Sequence, residues 1–258
     1  MRPDSGTVKA VVAALFLAVL LGGWMAAAAG LPPYMLPSPE RVLSATGRFF
    51  TSPRQLGHLT ATLFNVGTSI LVAFTLGGIL ALFAHYARAS APTIHGRLSP
   101  FLNAFPGVGW TLLAVIWFGV STTSVVFSIT VVLLPFALVN LREGLSAIDR
   151  EIDEMARSFG RDGLRLFFAI AAPALAPFAA ATLRIMFGVA WKVTLTAELF
   201  GGSEGLGYLI NIARQEYDTE TIFSVVLTIV VAVYLADRFV FAPMERAMAR
   251  QFGSRRPQ

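Results

Sequence analysis

The sequence predicts an all-α membrane protein with six transmembrane helices. Three observations lead there. Of its 258 residues, 55% are hydrophobic and only 14% charged, against about 25% charged in a soluble domain. Its apolar residues run continuously over lengths near the ~20 that cross a bilayer, unlike the short alternating segments of barrel strands. Its basic residues collect in alternate connecting segments, as the positive-inside bias requires.

The first span is expected at about 8–29. Arg2 and Lys9 precede an uncharged run from Ala10 to Pro39. Ala26 to Ala29 has the small residues of a signal-peptidase site. The apolar run nonetheless exceeds the roughly 7–15 residues of a signal's hydrophobic region, so a retained span is expected. A second span, 62–86, contains no Asp, Glu, Lys or Arg. No charge occurs between Arg97 and Arg142, which leaves room for spans at 98–118 and 123–141. They turn at the polar cluster Gly119 to Ser124. Spans at 174–200 and 221–242 complete one transmembrane domain over 1–258.

With the amino terminus inside, fourteen Arg and Lys residues fall in cytoplasmic segments and four (Arg41, Arg48, Arg54 and Arg214) in external ones. Both termini are then cytoplasmic. The same bias explains the net charge of +5 and the pI near 10.1 without nucleic acid as a partner. Ser38 followed by Pro39 has the form of a helix start, so Arg41 to Phe50 is expected to lie along the membrane surface. Four glycines in seven residues open the last external loop, predicting a bent or re-entrant piece before a short surface helix.

The cytoplasmic segment 142–173 is unlike a passive loop. Ile148, Ile152, Met155, Ala156 and Phe159 follow helical spacing. Gly160 stands where a helix ends in left-handed geometry, and Asp162 can cap a second short helix. Pro173 is expected to stop the pattern. Two short helices with an apolar ridge and a charged rim suit a groove on another protein, or else lie as an amphipathic loop on the membrane.

Glu154-Met155-Ala156, Gly160, Ile170 and Ala172-Pro173 resemble the EAA motif of ABC-importer permeases. The motif's pattern is E-A-A, glycine, isoleucine and L-P. Met155 and Ala172 depart from it while staying small or apolar. Four further stretches are similar to the nitrate/sulfonate/taurine/bicarbonate branch of that family. They are Leu36-Pro37-Ser38-Pro39-Glu40, Trp117-Phe118-Gly119, Met155 to Gly160 and Gly205-Leu206-Gly207-Tyr208-Leu209-Ile210. The resemblance covers nearly the whole chain. It implies a type I ABC-importer (MetI-like) permease fold and an inner-membrane subunit that imports a small anion such as a sulfonate, taurine, nitrate or bicarbonate. It also implies three partners: a cytoplasmic ATPase dimer carrying ATP and Mg, an external substrate-binding protein and a second permease copy. Membrane lipid surrounds the assembly. A secondary transporter of a small anion is the alternative; it needs no docking loop.

No phosphate loop of the form G-x-x-x-x-G-K-[ST] occurs, so ATP hydrolysis is expected in a separate subunit and no cofactor on this chain. With no cysteine, and with His58, His85 and His95 lacking ligand spacing, no metal site is expected. No nucleophile–base pair marks an enzyme, and there is no catalytic residue to assign.

The fifth span carries Arg184, Lys192 and Glu198, and ionisable groups in a span point to a bundle interior or an aqueous path. Arg184 is near enough to the cytoplasmic end to snorkel. Lys192, beside Trp191, either lines the path and favours an anion or pairs with another helix or subunit. Six residues separate it from Glu198, a rotation of about 240°, so one straight helix does not pair them. Glu198, Phe105 and Trp110 are further path candidates, the aromatic residues being packing groups otherwise. Asn65, Asn103 and Asn140 are expected to bond between helices. Ala73, Gly77 and Ala81 form a small-xxx-small ridge for close packing.

Overall fold

A computed structural model describes residues 5–147, 172–244 and 246–247. Its helices, in chain order, are α1 (Ser5–Ala29), α2 (Pro39–Thr51), α3 (Pro53–Tyr86), α4 (Ala91–Ala104), α5 (Gly107–Phe118), α6 (Thr122–Ser146), α7 (Ala172–Gly201), α8 (Leu206–Gln215) and α9 (Thr219–Ala236). Five helices among the described residues are long and apolar enough to cross a membrane. The number is six if α4 and α5 together form one broken span.

The helices fall into two compact units, Met1–Gly57 with Leu209–Val231, and His58–Tyr208 with Ala232–Gln258. In the first unit α1 is apolar all round, and from Val11 to Ala29 nearly all its side chains are exposed, as suits a helix surrounded by lipid or other helices. At its end Trp24 Nε1 donates to the Pro37 carbonyl at 3.0 Å, and its ring stands 5.7 Å from that of Phe223. The expected start of α2 is present: Ser38 is extended and Pro39 opens the helix, where its missing N–H costs nothing. Val42, Ala45 and Phe49 form the buried face of α2. Arg41 and Arg48, one heptad apart, both reach Glu220 at the start of α9, at 3.5 and 3.3 Å.

The second unit is organised around α6, whose Val125, Ile129, Leu133, Ala137 and Leu138 have no exposed surface. Ser121 begins α6, its hydroxyl accepting from the Ser124 N–H at 3.3 Å. The polar cluster is thus a helix cap at the expected turn. The predicted small-residue ridge packs on α6: Ala73 and Ala81 are wholly buried. A Cβ added at Gly77 would stand 2.6 Å from that of Ala137. Without a hydrophobic drive between helices in lipid, such close backbone approach supplies the dispersion contacts that hold them. Ala81, Ala84, Ile94, Leu138, Leu141 and Leu145 extend this core toward the far end of α6.

Several predicted boundaries shift. The second span begins at Pro53 rather than near 62, making α3 34 residues long. Residues 98–118 are not one straight crossing. α4 and α5 meet at an 85° bend at Phe105 and Pro106, both in extended backbone conformations. Proline lacks an N–H and restrains the residue before it, so a helix ends there unless its neighbours re-satisfy the backbone. Pro135 and Pro177, by contrast, lie inside continuous helices. Pro173 is the second residue of α7. The segment before it, where Pro173 is expected to stop the helical pattern, lies outside the described residues.

Replacing Gly77 with valine should separate α3 from α6 and cost about 1–3 kcal/mol, as overpacking does. A fall in the thermal unfolding midpoint of the purified chain in detergent would report it. Gly78→Ala is the control. Its added methyl would lie 3.5 Å from a Leu141 methyl, an ordinary contact, and the midpoint should hold.

Candidate functional site: the charged groups of α7

Three ionisable side chains lie along α7, and each has a different environment. Glu198, one turn from the helix end, has no exposed surface. Its Oε1 accepts from Asn65 Nδ2 at 2.9 Å, and its Oε2 from the Thr62 hydroxyl and the Gly207 N–H, both at 2.9 Å. Thr62 in turn accepts from the Leu206 N–H at 2.7 Å. His58 Nδ1, one turn earlier on α3, accepts from the Gly205 N–H at 3.2 Å. The first N–H groups of a helix have no intrahelical acceptor; here a carboxylate and a hydroxyl supply acceptors at the start of α8. A negative charge at a helix N-terminus is also favoured by the helix dipole.

The glycines of the α7–α8 turn follow from this geometry. Gly205 has φ +108°, a conformation open at little cost only to glycine. A Cβ there or at Gly207 would overlap Glu198 or the Leu195 carbonyl. The Ser121 N–H donates to the Gly201 carbonyl at 3.0 Å, fastening the α5–α6 turn to the same end of the unit.

Arg184, about 26 Å along the helix from Gly201 at 1.5 Å per residue, pairs with Asp237 at 2.9 Å. Asp237 opens the π-helical turn Asp237–Phe241 that continues α9. An ion pair, not snorkelling alone, therefore accommodates Arg184. Lys192 is different. It is exposed, and among the described residues no hydrogen-bond acceptor or carboxylate meets its ammonium.

The other predicted groups divide. Glu198 is enclosed among α3, α7 and α8 rather than facing a path. Trp191 is 3% exposed and turns inward from Lys192, edge-on to Phe187 with ring centres 6.0 Å apart. Trp110 is also buried, its indole N–H 3.5 Å from the Leu102 carbonyl. Phe105 is half-exposed at the α4–α5 break and stacks edge-on against Trp110 at 5.3 Å. Asn65 bonds between helices as expected, but Asn140 donates to the Phe136 carbonyl of its own helix. Of the coupling segment, Pro173 is described; Glu154, Met155, Ala156, Gly160 and Ile170 lie outside the described residues. No group of His, Cys, Asp and Glu side chains among the described residues forms a metal site.

The sequence reading missed Thr62, His58 and the N–H groups of Gly205, Leu206 and Gly207 as partners of this cluster. Glycine density in 201–207 and a glutamate ending a span were the available signals. Neither names a partner 133 or 136 residues away.

Long apolar helices, a pair bent at a proline and a polar clamp at one end of the second unit make this a multi-pass helical membrane protein. The profile of the "binding-protein-dependent transport system inner membrane component" family matches residues 73–242, and the chain belongs to that family of ABC-importer permeases. It is 26% identical over 206–231-residue alignments to relatives that include the taurine transport system permease protein TauC of Escherichia coli. That alignment covers 86% of this chain and 82% of TauC. It is 31% identical to the riboflavin transport system permease protein RibX of Chloroflexus aurantiacus, covering 91% of this chain and 87% of RibX. Among solved structures, the inward-facing MetNI methionine ABC transporter matches with a TM-score of 0.59 at 19% identity. The match covers 76% of this chain and 99% of that one. The fold is therefore that of a type I importer permease, as expected.

Replacing Glu198 with alanine strands the Asn65 amide and the Gly207 N–H in a dry site. It should cost about 2–4 kcal/mol, read as a lower unfolding midpoint and a smaller folded yield in membranes. Glu198→Gln should rescue only in part, because its amide sets a fourth donor among three.

Proposed function

We propose that the chain is the permease subunit of an ATP-driven importer for small anions, sulfonates among them. It acts as a homodimer with a cytoplasmic ATPase dimer and an external substrate-binding protein. Both its termini are cytoplasmic. ATP and Mg are bound by the ATPase subunits, and this chain binds no cofactor. The observation that carries the reading is that the family match spans residues 142–173, where Glu154, Met155, Ala156, Gly160, Ile170 and Pro173 stand in the EAA-like pattern. The helical spacing of apolar residues and the charges around them, set between two spans, suit docking by an ATPase subunit. The anionic substrate is supported by the relative named for taurine, an aminosulfonate. The relative named for riboflavin favours a second reading, an uncharged heterocyclic substrate.

ATP-dependent uptake into proteoliposomes carrying the whole complex separates the two substrates. Taurine or methanesulfonate uptake supports the first, and riboflavin uptake with neither sulfonate supports the second. Glu154→Lys and Gly160→Val should each abolish co-purification of the ATPase while leaving the amount of permease in the membrane unchanged. Normal uptake by both variants would overturn the docking role, as would labelling of 142–173 from outside intact cells.

A further inference from the structure

We infer that Lys192 is the charge-selecting residue of the translocation path, its ammonium receiving the anionic group of the substrate as it crosses; this rests on the anion-import reading. The first support is depth. Lys192 lies nine residues from Gly201 on a continuous helix, about 13 Å at 1.5 Å per residue. That is close to the middle of a hydrocarbon layer about 30 Å thick. A lysine facing lipid there costs roughly 2.5–3.5 kcal/mol, so its face of α7 is met by water or protein.

The second support is contrast along one helix. Arg184 has Asp237 at 2.9 Å and Glu198 has three donors at 2.9 Å. Lys192 alone of the three lacks a partner among the described residues. The third is the shape of its surroundings. Ala181, Ile185, Gly188 and Lys192 follow a 4-3-4 spacing, and all four are exposed. This is one helical face. Met186, Ala190, Trp191 and Thr194 form the buried side. Gly188, one turn from Lys192, has open space where a side chain would begin. An ammonium above a glycine notch on an open face leaves room for a sulfonate-sized group beside the charge. The fixed positive charge lowers the energy of an anion at that depth and raises that of a cation.

The absence of cysteine from the chain allows a direct test. Gly188→Cys, with Ile185→Cys as a second reporter, is reacted in the assembled complex with two methanethiosulfonates of similar size. One bears a sulfonate and the other a trimethylammonium group. Both reagents should modify at least one reporter, while buried Met186→Cys stays unreactive. Lys192→Gln should lower the anionic-to-cationic rate ratio about tenfold, and Lys192→Arg should restore it. Unreactive reporters, or a ratio indifferent to Lys192→Gln, would overturn the assignment. Sulfonate uptake by the unmodified complex is scored separately. Its absence defeats the anion-import reading, and an unchanged reagent ratio despite normal uptake defeats the role of Lys192 alone.

Discussion

The interaction on which the rest of this unit depends is the reception of three hydrogen bonds by one buried carboxylate. Glu198 joins α3 through Thr62 and Asn65 and α8 through Gly207. A carboxylate without exposed surface survives only when its lone pairs are used, since burying it unpaired costs several kcal/mol or more. The cluster therefore constrains its neighbours sharply. It requires glycine-like approach at 205 and 207, an amide at 65 and a hydroxyl at 62 that accepts from one helix while donating to another. The clamp also sets the rotation of α7 about its axis. With Glu198 turned into α3, the residue six positions earlier, rotated by about 120° the other way, is carried onto the open face. The exposure of Lys192 is thus a consequence of the burial of Glu198.

Lower in the unit the constraint changes kind. In lipid the apolar faces of helices gain little by meeting, so contacts must come from fit. The α3–α6 seam uses alanine and glycine to bring backbones together, with Gly77 against Ala137 and Leu138. The α4–α5 break is the opposite arrangement. There 85° of bend exposes Phe105 while Trp110 is held inside. Non-helical backbone within a membrane span is tolerated where protein or water meets it. The break and the open face of α7 are both places where the chain's own packing is incomplete.

Length and apolarity made the long helices legible, while the starts of α3 and α4 lie several residues before the predicted spans. Ser38-Pro39 and Ser121 worked as signals because their role is local: each satisfies or dispenses with the N–H groups of its own first turn. The small ridge on α3 was legible for a similar reason, since helical spacing alone places Ala73, Gly77 and Ala81 together. The size of the bend at Pro106 was not legible, because proline removes a hydrogen bond without stating which neighbour replaces it. The Glu198 partners were beyond reach because their contacts join residues far apart in the chain. No periodicity within α7 reports which residues of α3 will face it.

Charge on α7 follows one rule with two outcomes. A group that the fold needs is given its partners within the chain: Glu198 its three donors, Arg184 its aspartate. A group without a partner at mid-membrane depth is costly against lipid. Lys192 has neither hydrogen bond nor counter-charge among the described residues, and the face it occupies carries alanine, isoleucine and glycine in place of packed neighbours. Its cost is recovered when something outside the described residues supplies negative charge. That demand stands on the same continuous helix as the Arg184–Asp237 pair and the Glu198 clamp, so one element carries all three charged groups.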